Sequence, residues 1–90
     1  MNVAELYHSR VRDMISQKYR EVSKERQDLI HRQHDLLRTL EDETIPYKEY
    51  VDLSRELDSV REEIKFLNVA INVWDEAREL CFQAAEDFKD

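Results

Sequence analysis

From Tyr50 onward the apolar residues fall at Leu53, Leu57, Val60, Ile64, Leu67, Ile71, Trp74, Cys81, Ala85 and Phe88, in alternating steps of three and four broken only at Arg78. Such spacing holds one stripe of a helix against a partner over many turns, so it predicts a long helix with a coiled-coil-like seam. The earlier residues repeat more loosely, at Ala4, Tyr7, Val11, Ile15, Tyr19, Val22, Leu29, Leu36 and Leu40, with polar Arg26 and Gln33 in the missing steps. That period is about 3.6, which predicts a second long helix.

The lone proline, Pro46, separates the two patterns. Proline fits a first helical turn and disfavours helix in the residue before it, so Pro46 is expected to open the second helix and Thr44 to cap it. The expected organisation is a single domain over 1–90, with a helix over about 2–41, a turn over about 42–46 and a helix over about 47–88. Each helix would run about 60 Å, and the short connection makes them antiparallel. A turn centred near Glu43 and Thr44 would pair Leu36 with Val51, Val22 with Ile64 or Lys65, Val11 with Trp74 or Ala77, and Ala4 with Ala85.

One seam does not use up the apolar residues of the second helix. Phe66, Val73 and Leu80 share one line, Ala70, Ala77 and Ala84 share the next, and Val69 and Phe82 widen the face. Between Ile64 and Phe88 this leaves a narrow polar strip of Lys65, Asn68, Asn72, Asp75, Glu76, Glu79, Gln83 and Glu86, while Val3, Leu6, Met14 and Ile15 broaden the facing part of the first helix. A two-helix hairpin buries one seam only, and each of Phe66, Val73 and Leu80 left in water forfeits about 1.5–3 kcal/mol. The expected fold is therefore all-α, a long antiparallel two-helix hairpin that dimerises into a four-helix bundle. Its interface would be Phe66, Val69, Ala70, Val73, Ala77, Leu80 and Ala84, and a helix of another protein is the competing occupant.

Composition narrows the functions. The 90 residues include no glycine, which removes Rossmann, Walker and nucleophile-elbow motifs, since each needs glycine where the backbone turns sharply or meets a ligand. The net charge is −7, from 14 basic and 21 acidic residues, and it opposes contact with nucleic acid or anionic lipid. The single cysteine forms no intrachain disulfide, and neither a secretory segment nor a membrane-length apolar run is evident, so a soluble cytoplasmic protein is expected.

Several clusters invite chemistry. His31 and His34 share a helix face with Asp28, a corner for a metal that lacks the four ligands of a structural zinc site. Glu5 and His8 match the Glu-x-x-His spacing of di-iron bundles, which need two such motifs and two further glutamates. Arg26 and Gln33, placed near Glu62 and Arg55 by the pairing above, form a polar seam of the kind that fixes register. As a pocket instead, Arg26, Arg55 and Glu62 would resemble the inter-helix site of the all-helical chorismate mutases, which the chain resembles in size and helicity. That resemblance implies a small enzyme. Secreted hairpins with a tryptophan and a glycine in the turn share the length and architecture, but this chain has no glycine.

Cys81 and Trp74 read as core, and the acidic run Glu41-Asp42-Glu43 as a solvated loop. The functional expectation is a non-enzymatic protein-interaction module, an adaptor, inhibitor or regulatory protein, most simply a homodimer. It would take no cofactor, metal or small-molecule substrate and meet neither nucleic acid nor membrane.

Overall fold

The computed structural model describes residues 2–87, with side chains described through Ala85. Phe88, the last position of the expected seam, lies outside the described residues. Two helices make up the fold, α1 (Val3–Leu40) and α2 (Tyr47–Asp87), packed antiparallel along their length.

Local chemistry sets the ends. Asn2 is extended and its side-chain oxygen accepts from the Glu5 N–H at 2.8 Å, while its carbonyl accepts from the Leu6 N–H at 3.1 Å. The side-chain bond satisfies one of the N–H donors that a helix start leaves open, and the carbonyl bond is the first of the helical ladder. At the other end the Glu41 N–H is shared between the carbonyls of Leu37 and Arg38, and Arg38 supplies a cation to the last turn.

The turn departs from expectation in one detail. Thr44 does not cap α2; its hydroxyl and its N–H both donate to Asp42 Oδ1, at 2.7 and 2.9 Å. A carboxylate two residues back offers that N–H a local acceptor, and the hydroxyl follows it. Pro46 consequently sits just before the first helical residue, its carbonyl accepting from the Tyr50 N–H at 2.9 Å.

The molecule is a rod of 67 × 16 × 14 Å with a radius of gyration of 20.1 Å. A compact domain of this length has a radius near 12 Å, so very little of the chain is enclosed. The closed core lies in the turn half, where Leu36, only 1% exposed, packs with Leu57 and Val60 and is flanked by Leu29, Leu37, Leu40, Leu53 and Ile64.

Leu36 was expected beside Val51, and it lies higher along α2. Leu36 is thus enclosed by a cluster that includes several α2 residues, with Leu53 and Ile64 packed against it.

Candidate functional site

The open half of the hairpin differs from the turn half. Ile15, Leu67 and Cys81 are buried there. Around them Val3, Leu6, Tyr7, Met14, Phe66, Val69, Val73, Leu80 and Phe82 are all exposed. Among the described residues, only Tyr47 and Tyr50 are large exposed apolar side chains elsewhere, and both carry a hydroxyl that suits water. The exposed apolar surface is thus concentrated in the open half, from the middle of α2 outward.

Of the residues that the sequence assigned to an interface, Phe66 is 72% exposed, Val69, Val73 and Leu80 are more than half exposed, and Ala70, Ala77 and Ala84 are half-buried. At the end of this face the two helices frame an apolar groove of about 960 Å³. Val3, Ala4, Tyr7, Val11 and Ile15 form one wall, and Ala77, Leu80 and Ala84 form the other. Val11 and Ala77 thus share this groove, as do Ala4 and Ala84, close to the expected pairing at this end.

His8 and Cys81 also line the groove and tie its walls together. His8 Nε2 lies 2.8 Å from the Cys81 carbonyl and 3.3 Å from its Sγ. A carbonyl only accepts, so Nε2 carries the proton and donates to it. A nitrogen that is already a donor cannot take the thiol proton, and the arrangement is a structural tie between α1 and α2, not a nucleophile with its base. Sequence reasoning missed this pair by taking Tyr7 as the seam residue. Tyr7 is exposed and His8 is half-buried; the step of Ala4, His8, Val11 and Ile15 carried the signal.

The polar seam comes apart into separate contacts. Arg26 Nε donates to Asn68 Oδ1 at 2.5 Å across the helices, while Glu62 pairs with Lys65 on its own helix at 3.2 Å. Gln33 is half-buried and Arg55 is exposed. Arg26 and Asn68 line a polar cleft with Tyr19, Ser23, Gln27, Ile71 and Asn72, whereas Glu62 lines a different one with Glu25, Glu63, Phe66 and Leu67. The three residues considered for an enzyme pocket are therefore not gathered around one cavity.

Arg78, which breaks the α2 seam, lies 4.6 Å over the Tyr19 ring and pairs with Asp75 at 2.7 Å. Arg32 joins the helices by donating Nε and Nη2 to Glu56 Oε1, at 3.0 and 2.6 Å.

His31 lies near Gln27 on α1, with the ring nitrogen 3.4 Å from the amide, and His34 and Asp28 are exposed. Among the described residues no three His, Cys, Asp or Glu side chains are grouped to hold a metal ion. No described helix is long and apolar enough to cross a membrane. No protein-family model matches the chain, and neither does any of the curated proteins or solved structures compared with it.

Proposed function

We propose that the chain is a non-enzymatic protein-interaction module, an adaptor, inhibitor or regulatory protein that binds through the apolar face at the open end of its hairpin. One observation carries the reading: Phe66, Val73 and Leu80, seven residues apart on one line of α2, are all exposed, and Leu80 at the end of that line borders an apolar groove. Contiguous apolar surface of this kind marks sites where a protein meets another. A helical partner fits, because the groove runs between two helices and offers the three-and-four spacing that receives a helix face. In this reading the module works in the cytoplasm and needs no cofactor, nucleic acid or membrane.

The test is photo-crosslinking from the full chain in the cells it comes from, with a light-activated residue at position 66, 73 or 72. Positions 66 and 73 should give covalent protein adducts, and Asn72, on the polar strip, should not. Equal yields at all three positions, or none at 66 and 73, would refute the reading.

A further inference from the structure

The apolar face of α2 is a second heptad seam. Phe66, Ala70, Val73, Ala77, Leu80 and Ala84 step by four and three, each residue just before its counterpart in the inner seam of Leu67, Ile71, Trp74, Arg78, Cys81 and Ala85. One residue is about 100° of helix rotation, so the two seams lie roughly a quarter-turn apart. A helix in a four-helix bundle meets its two neighbours at about that angle.

The order of sizes along the outer seam carries more information. Phe66, Val73 and Leu80 occupy one position of the repeat, and Ala70, Ala77 and Ala84 the other. Two such helices laid parallel would stack large on large and alanine on alanine, leaving crowded and empty layers in turn. Laid antiparallel about a point near Asp75, they place Phe66 against Ala84, Val73 against Ala77 and Leu80 against Ala70, and the symmetry repeats each layer. Every layer is then large on small. A surface that complements itself under a two-fold rotation is what a symmetric dimer requires.

The groove supplies a second, independent fit. It surrounds Ala84 and Ala77, while the largest exposed apolar side chain of the seam, Phe66, lies 18 residues before Ala84, about 27 Å along the same helix. Within one chain the two never meet. In the antiparallel pair Phe66 of each copy reaches the groove of the other.

From these observations, and resting on the interaction reading above, we propose that the occupant of the groove is a second copy of this chain. The two copies are antiparallel along α2, with Phe66 of each seated between Ala84 and the α1 wall of its partner. The exposed side chains of this face, with Val3, Tyr7 and Met14 at its edge, present apolar area on the order of the ~800 Å² per partner of a stable interface. Each copy carries −7, so charge opposes the pairing and the attraction is apolar.

Two cysteine variants test the geometry, each carrying Cys81→Ala. Ala70→Cys and Leu80→Cys chains, mixed and oxidised, should form a disulfide between unlike chains, while neither variant alone should cross-link. Light scattering of the unmodified chain should give twice 10.9 kDa, and Phe66→Ala should weaken the dimer at least about 100-fold with helix content retained.

Cross-linking of each variant with itself would overturn the antiparallel arrangement. A concentration-independent mass of 10.9 kDa would overturn the dimer. In that case protein adducts from positions 66 and 73 would preserve the interaction reading with a different partner, and their absence would remove both.

Discussion

Leu36→Ala is the most direct test of where the hairpin keeps its stability. Leu36 is 1% exposed and its neighbours Leu57 and Val60 are buried with it, so truncation removes three buried carbons and leaves a cavity that two rigid helices cannot easily close. Substitutions of this kind cost roughly 2–5 kcal/mol, and full enclosure places this one near the middle, at about 3 kcal/mol. A chain of this length is typically stable by about 5–13 kcal/mol, and an extended rod belongs at the lower end, so the loss is a large share of the total.

Urea unfolding followed by helical circular dichroism, at one fixed chain concentration, measures it. The same substitution at Leu80, 60% exposed, is the internal control. At concentrations too low for association, Leu80→Ala should cost less than about 0.5 kcal/mol. A loss below about 1 kcal/mol at Leu36, or equal losses at the two sites, would refute the division into a closed turn half and an open apolar half.

Four further outcomes are expected. Leu80→Ala should weaken self-association while leaving the dilute chain almost as stable as before, as sedimentation and urea titration together will show. Raising the salt concentration should tighten the dimer, because screening weakens repulsion between copies of like charge; salt-induced dissociation would mean that ion pairs hold it. Arg32→Ala should cost less than about 1 kcal/mol by urea unfolding, since the Arg32–Glu56 pair is about half exposed on both sides.

The fourth concerns pH. The Asp42 carboxyl is held below the usual carboxylate range by the Thr44 hydroxyl and then by the Thr44 N–H. Its contribution is present above the unfolded-state pKa and is lost as pH falls through the depressed folded value. Thr44→Val, which keeps the N–H and loses the hydroxyl, should raise the Asp42 titration point in a carboxyl-carbon NMR titration; an unmoved curve would remove the assignment.

The architecture was legible because a sustained three-and-four repeat and one proline admit few folds. Val3–Leu40 and Tyr47–Asp87 follow the periodic stretches closely. The surplus face was legible for the same reason, since a helix that is apolar over more than one stripe exposes part of itself in a hairpin.

Details that depend on side-chain reach were harder to read. Leu36 clusters with Leu57 and Val60 and not with Val51, and Arg26 reaches Asn68 and not Glu62. Competition between acceptors decided Thr44, whose nearest oxygen was the Asp42 carboxylate. His8 was obscured because Tyr7 is the more apolar neighbour, although His8 satisfies the repeat better and spends its polarity on the Cys81 carbonyl.

The concentration of the core near the turn also orders events in time. Residues Arg32 and Glu56 are 24 apart in sequence, whereas His8 and Cys81 are 73 apart. Closing the longer loop directly from the unfolded chain costs about 1 kcal/mol more in chain entropy. The Leu36 cluster offers its apolar reward at the shorter separation, so the hairpin nucleates at its turn and zips outward. His8 and Cys81 are joined late, and the groove they help to line takes shape last. The groove is therefore the last part of the helix pair to be completed, and the first to open when the pair frays.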